Sequence, residues 1–592
     1  MKKGLRTYAA VAFMALVSAG CLSGCASSSA DIVLHVYNCE DYIGEDPFTY
    51  YYDDGTTLEC DDVLAGFEAW ESEKLGKSVS IVYDTYETNE TMLSSLKTGR
   101  STYDLIVASD YAIQKMMTMG LLQKLDKSRV PNYVDYASPY LQAQLDGIYA
   151  TVDQKEESVG DYSLGYMWGT LGILYNPAKI ASDKDMEEDQ VKFDMASWES
   201  LWDDKYYGEM SVKDSMRDTF SIGIMKEFGE EIAKDIEASG CFDEDYNLLD
   251  GKWQEALDNY NPKLTDIFNR CDEESVEKVK TTLLDLKENI FGFEVDSGKE
   301  DMVKGMIGIN LAWSGDAVFS MDTAEEGDDP KEVYYSIPKT GGNIWFDGWM
   351  MPKTCEGENQ DVAYDFLDYL NDPQIAAANM NYIGYTPYVG GSTMLDLVRE
   401  WYDPRYYEIY QYDEEEDDLV YDEETGEPLF NEGMDETSWY SVDWSEYEWD
   451  IVDLTYMFEG TLDDCLEDYV EDPEALGTTP ETNPYLFYTD ALEEIEDPET
   501  GATVTAGRQF FAQYPPQDLI PKLAIMKDYG DNNKYVLAMW QDVKSNNLPL
   551  AGVIVFAAIL IAAAVGITTF YVAKYRYHRL RVERRKALNQ GK

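Results

Sequence analysis

A chain of 592 residues is too long for a single compact core, so two or more lobes are expected. Its apolar content, 44%, is that of a globular protein and excludes a disordered acidic polymer. Acidic residues number 115 against 46 basic, for a formal net charge of −69. That field disfavours nucleic acid, whose phosphates need a basic face, and favours cationic ligands. There are two histidines, His35 and His578, the second in a basic tail. A His-ligated zinc site or a Ser-His-Asp triad is therefore not expected, whereas carboxylate chemistry such as glycoside hydrolysis stays open.

The N-terminus reads MKKGLRTYAAVAFMALVSAGCLSGC. A basic start precedes an apolar stretch too short to span a bilayer, the pattern of a signal peptide over residues 1–24. LSGC, ending at Cys25, resembles a bacterial lipobox and implies cleavage before Cys25 and a lipid on its sulfur. The alternative is an ordinary secretory signal. Residues 26–30 are a small-residue tether. DIVLHVYNCEDYI reads as a strand running into a loop, 62–75 as a helix, and 78–86 as a second strand. NETMLSSLKTG reads as a helix ended by Gly99. YDLIVASDY, 103–111, is a third strand entering a loop, followed by a helix over AIQKMMTMGLL. This alternation indicates an open parallel α/β sheet, in which ligands sit at the carboxyl ends of the strands. Here those ends are NCEDY and ASDY.

A second α/β stretch begins near residue 168. GTLGILYNP reads as a strand and turn, SWESLWDDKYYGEMSV as a helix, a turn and a strand, and KDSMRDTFSIGIMKEF as a loop opening a helix. MIGINLAWSGDAVFS repeats strand, loop and helix, with Trp313 in the loop. GGNIWFDGWMMP, 341–352, reads as a buried strand with Trp345 and Asp347 on one face. Residues 400–500 are densely acidic and read as a solvated insertion without EF-hand spacing. Helical patterning returns over 508–546. Residues 550–573 then run for 24 residues without a charge, long enough for a transmembrane helix. The basic tail 574–592 is cytoplasmic by the positive-inside rule. Six cysteines, Cys39, Cys60, Cys241, Cys271, Cys355 and Cys465, remain in the exterior part, without a CxxC pair. Their connectivity cannot be read from spacing.

In order and spacing, VYNCEDYI, YETNETMLSSLKTG, YDLIVASDYAIQKM, LLQKLDKS, YMWGTLGILYNP, SWESLWDDKYYGEM, DSMRDTF, AWSGDAVF, GGNIWFDGWMMP and NYIGYTPY resemble the substrate-binding proteins of bacterial ABC importers, specifically the spermidine/putrescine-binding type. The resemblance covers about 31–395. It implies an α/β, two-lobed periplasmic-binding-protein-like fold closing by a hinge, with 31–165 and 347–392 in lobe 1 and 166–343 and 393–546 in lobe 2. The acidic insertion and the C-terminal transmembrane helix are additions to it. It implies no enzyme activity and no cofactor or metal. The implied partners are a polyamine ligand, an ABC permease and its ATPase, and the membrane through lipid and helix, with the lobes extracytoplasmic.

Each end of a polyamine is an ammonium that needs carboxylates and hydroxyls, and its methylene stem needs an apolar or aromatic wall. The resemblance assigns this role to Asp41, Tyr42, Ser109, Tyr111, Ser215, Asp218, Trp313, Trp345, Asp347 and Tyr385. Asp214 stands beside Ser215, where some members carry aspartate, and is a substitute for it. Cys39 stands where the family usually has tryptophan, which removes one aromatic wall. The alternatives are the same fold with another solute, an amino acid, a sugar or a ferric ion, and a surface glycosidase without motif support.

Overall fold

The computed structural model describes residues 30–545, except 53, 100–101, 327–329, 414–417, 422–427, 436, 448, 471 and 497–501. The expected signal peptide, Cys25, the expected transmembrane helix over 550–573 and the basic tail all lie outside the described residues. Among the described residues no helix is long and apolar enough to cross a membrane. The chain divides into two compact units, one up to Leu537 and one from Ala538. In the second, the described residues are the end of the helix Asn533–Lys544 and Ser545.

The first unit opens with β1, Ile32–Cys39, whose apolar residues alternate and then become fully buried. Helix α1, Val63–Leu75, starts where the Asp62 carboxylate accepts from Ala65 N–H, and β2, Val79–Tyr86, follows. Helix α2, Asn89–Thr98, is capped by the Thr88 hydroxyl and ends at Gly99, whose φ of 61° is left-handed. Strand β3, Leu105–Ser109, passes directly into α3, Asp110–Thr118. The loop expected after ASD is therefore absent, and Asp110 and Tyr111 form the first turn of a helix. A strand that turns straight into a helix exposes unpaired N–H groups at its carboxyl end, and Asp110 meets them by accepting from Tyr111 N–H at 2.5 Å.

The second half repeats this design around a long strand, β4, Ser163–Tyr175, buried throughout. Strand β5, Met210–Lys213, leads to α4, Met216–Glu227, with Ser215 as its N-cap. Strand β6, Gly292–Glu294, precedes α5, Ser297–Val303, and β7, Ile309–Trp313, precedes α6, Ser314–Glu325. Trp313 thus ends a strand rather than sitting in a loop. The SWESLW segment is a 3-10 turn, Trp198–Trp202, not an α-helix. Strand β8, Gly342–Met350, is buried at every position.

Among the described residues the main sheet has 13 strands, and eight run along it in the order β6-β5-β7-β4-β8-β3-β1-β2. β1, β2 and β3 are mutually parallel where they pair, as are β5, β6 and β7. The antiparallel pair β4 and β8 joins the two sets. The carboxyl half of β4, Leu171–Tyr175, pairs with β7, and the carboxyl half of β8, Asp347–Met350, pairs with β3. Each joining strand thus crosses from one parallel set to the other, giving two α/β lobes on shared strands. The β4–β8 register shifts between Phe346 and Gly348, so that Tyr166 and Met167 both stand opposite Asp347. Such a bulge bends the pair and re-aims the side chain facing it.

The acidic insertion is not simply a solvated run. Its described part builds a small aromatic core around Ile409, Trp444 and Tyr488, packed by Phe430, Trp439 and Trp449. The six cysteines Cys39, Cys60, Cys241, Cys271, Cys355 and Cys465 are free thiols.

Candidate functional site

A cavity of about 120 Å³ lies where the carboxyl ends of the two parallel sets meet. From one lobe it is lined by Cys39 to Tyr42 after β1, Glu87 to Glu90 after β2, and Ser109 to Tyr111 after β3. From the other come Ser215 and Asp218, then Val295, Asp296 and Lys299, then Trp313 and Asp316. Asn343, Trp345 and Asp347 of β8 form its floor, with Tyr385 and Met526 beside them. This is the position that strand polarity dictates for ligands in open α/β sheets.

Ten of the eleven binding residues expected from the sequence line this cavity; Asp214 does not. It stands at the bend between β5 and the Ser215 cap of α4. The lining residues that the sequence reading missed are Glu40, Glu87, Glu90, Asp110, Asp296, Lys299 and Asp316 among the charged ones. Asp316 lay within AWSGDAVF and Glu90 within YETNETM, so the signal for those two was present. Asp296 and Lys299 lay in no recognised motif.

The aromatic wall is continuous. Tyr385 meets Tyr42 edge-on at 5.1 Å between centroids and Trp345 at 5.6 Å. Two glycines make room for it. A Cβ on Gly315 would come within 2.2 Å of the Tyr385 ring, and one on Gly169 within 2.5 Å of Trp345. Gly315 explains the glycine of AWSG: the phenol lies flat on the first turn of α6.

The acids fall into two neighbourhoods. At the first, Tyr42 Oη donates to Asp347 Oδ2 at 3.0 Å, while Oδ1 is buried without a hydrogen-bond partner. Burial pushes the Asp347 carboxyl up to about 6; hydrogen bonds from Ser109 and Tyr42 oppose this, and the charge of Asp218 adds to it. Burial also raises Asp218, against hydrogen bonds from Ser215 and Trp313 and the charges of Lys213 and Arg217. Burial raises Glu90 as well, and Tyr111 Oη donates to it at 3.3 Å. Arg217, whose charge acts on both Asp218 and Glu90, is sandwiched between the rings of Tyr111 and Tyr529, at 4.1 and 3.6 Å. It also donates to the Lys527 carbonyl.

At the second neighbourhood the acids are already paired. Lys213 Nζ donates to Asp316 Oδ2 at 2.8 Å, and Tyr385 Oη to Asp316 Oδ1 at 2.8 Å. Burial pushes Asp316 up, but Lys213 and Lys299 outweigh it and hold the carboxyl below its usual range. Lys299 Nζ lies 3.0 Å from Asp296 Oδ1 and 3.1 Å from Asp41 Oδ2. The arrangement is suited to holding a cation with an apolar stem. It has acids, hydroxyls and rings, one carboxylate oxygen left open, and no paired nucleophile and base.

Comparison with known proteins agrees in kind. The chain is 27% identical over 366 residues to the putrescine-binding periplasmic protein SpuD of Pseudomonas aeruginosa, a match covering 62% of this chain and 80% of that one. It is 25% identical over 319 residues to the spermidine/putrescine-binding periplasmic protein of Escherichia coli, covering 54% and 73%. Among solved structures, a putative spermidine/putrescine ABC transporter from Listeria monocytogenes aligns with a TM-score of 0.43 at 24% identity, over 62% of this chain and 85% of that one. The family profile described as "Bacterial extracellular solute-binding protein" matches residues 66–396, more than half of the chain. The chain belongs to the bacterial extracellular solute-binding proteins, a family of transport proteins that bind substrates and catalyse no reaction.

Proposed function

We propose that this protein captures polyamines of the putrescine and spermidine class outside the cytoplasm and hands them to an ABC permease powered by its ATPase. The observation that carries this reading is the open Oδ1 of Asp347, buried beside Asp218 under the Trp345–Tyr385–Tyr42 wall. A buried carboxylate oxygen without a donor is costly, and an ammonium supplies both the charge and the hydrogen bond. The ring faces supply the second half, packing on the stem and attracting the cation, for about 0.5–2 kcal/mol each. Relatives named for putrescine and spermidine binding support the choice of solute. An anionic solute is less supported, since Arg217 does not line the cavity and the lining Lys299 is already paired with Asp41 and Asp296.

In this reading Asp347 and Asp218 hold an amine, with Ser109, Ser215 and Tyr111 as hydroxyl partners. Trp345, Trp313, Tyr42 and Tyr385 line the stem, and Asp41 closes the mouth. β4 and β8 act as the hinge between lobes, as crossing strands allow. A lipid on Cys25 and the 550–573 helix anchor the protein, with the basic tail inside. The test is calorimetric titration of the full chain with putrescine, spermidine, amino acids and sugars. Polyamine at a hundredfold excess over its Kd stabilises the folded protein by about 2.7 kcal/mol. Binding of an amino acid or sugar with no response to any polyamine would overturn the reading.

A further inference from the structure

We infer that Lys299 is a built-in occupant of one amine position, so that the cleft takes its ligand by a single charged head and prefers short monoamines and diamines to a triamine. The inference rests on the polyamine reading above and narrows it. A lysine side chain is itself a butylammonium, the same chemistry as half a diamine. Lys299 sits near the start of α5, just past the carboxyl end of β6, and only 13% of its side chain is exposed. Its Nζ reaches Asp296 on its own side of the cleft and Asp41 on the loop after β1. Asp41 holds a left-handed backbone, φ 48°, which aspartate tolerates better than most residues.

Lys213 neutralises the same end from below. It is fully buried, with its Nζ on Asp316, on the Val295 carbonyl, and 4.3 Å from the Trp313 ring centroid. Two internal ammoniums therefore serve Asp41, Asp296, Asp316 and Glu294. The opposite end holds the open Asp347 oxygen with Asp218 and Glu90; of the two cations that act on Asp218, Lys213 is committed to Asp316 and Arg217 is turned into a stack of phenol rings. A ligand that put a second ammonium at the Lys299 end would meet a like charge in a closed site.

Calorimetry of the full chain and of its Lys299→Ala and Lys299→Met forms, with butylamine, putrescine and spermidine, tests this. In the unmodified chain spermidine binds no more tightly than putrescine. In both variants, removing one like charge raises spermidine affinity about tenfold or more while butylamine affinity changes by about threefold or less. Lys299→Met keeps the aliphatic stem, so it separates charge from packing. Tighter binding of spermidine than of putrescine by the unmodified chain would overturn the inference, as would variants whose spermidine-to-butylamine ratio is unchanged; either result leaves the polyamine reading standing. No binding of any amine by any form would overturn that reading and this inference together.

Discussion

The cleft and the insertion over residues 400–500 are built from the same residue types, acids and aromatic rings, and they treat buried charge differently. In the insertion, Arg405 and Asp403 are both almost completely buried and satisfy each other. Arg405 Nε lies 3.0 Å from Asp403 Oδ1 and Nη2 2.6 Å from Oδ2, with the rings of Trp439 and Tyr488 at 5.0 and 4.9 Å. In the cleft, Asp347 is as hidden as a core residue, yet one of its oxygens faces no donor. Composition alone does not separate the two regions. What separates them is whether the buried charge already has its counter-ion, and only the region left incomplete has use for a ligand.

The largest effect should come from breaking the complete region. Arg405→Ala leaves Asp403 buried without its partner, which costs about 3–5 kcal/mol of folding stability. Urea denaturation of the full chain measures it. Polyamine affinity of the protein that remains folded should be unchanged, since neither residue lines the cleft. Replacing both residues with apolar side chains of similar volume should recover most of the loss. If Arg405→Ala were as stable as the parent, the contrast drawn above would fail on the insertion side.

The second effect has the opposite sign for stability. The Asp347 carboxyl sits at about 6 when folded, against 3.8 for the free side chain. A carboxyl raised by folding contributes most below its unfolded value, and that contribution is lost as pH rises through its folded value. Ligand-free protein therefore loses stability from this group between about pH 4 and pH 6, on the order of 2–3 kcal/mol for a shift of two units. Asp347→Asn removes that loss, so the ligand-free variant should be the more stable one at pH 8. It should also bind putrescine more weakly by about ten- to a hundredfold, because the cation loses its charged partner. In the unmodified protein, affinity should rise with pH through about 6 and level off above it, as Asp347 becomes ionised. Denaturation and calorimetry across pH 4–8 measure both. A variant that gained stability without losing affinity would show that the open carboxylate is not where the cation sits.

How far this contrast could be read from the sequence depends on what set each residue's position. Tyr42, Ser109, Tyr111 and Trp313 follow from strand polarity, because each lies at or just past the carboxyl end of a strand whose alternation is plain. Trp345 and Asp347 follow from a period of two on β8. Lys299 and Asp296 reach the cleft because β6, three residues long, pairs beside β5, a register that local pattern does not encode. The sequence pattern runs Asp110 and Tyr111 on as the end of a strand entering a loop, because the strand-to-helix junction after Ser109 has no turn residue to mark it. In the insertion, Ile409, Trp444 and Tyr488 lie far apart in a stretch dominated by acids, so no period announced that they would pack together.

The smallest effect bears on how the incomplete region is kept in place. Ser215 caps α4: its Oγ accepts from Asp218 N–H at 3.4 Å, and its hydroxyl also hydrogen-bonds to the Asp218 side chain. The cap therefore serves the helix and the cleft at once. Ser215→Ala should cost about 1 kcal/mol of stability through the lost N-cap. It should also raise the Asp218 carboxyl further, since one of the hydrogen bonds opposing burial disappears. Ser215→Asp restores the cap and adds a further acid beside Asp218 and Asp347, so stability should return while putrescine affinity rises. Matched denaturation and calorimetry on the two variants separate these roles. If Ser215→Asp restored the helix but left affinity at the alanine level, Ser215 would belong with the paired charges of the insertion, as a device of folding rather than of binding.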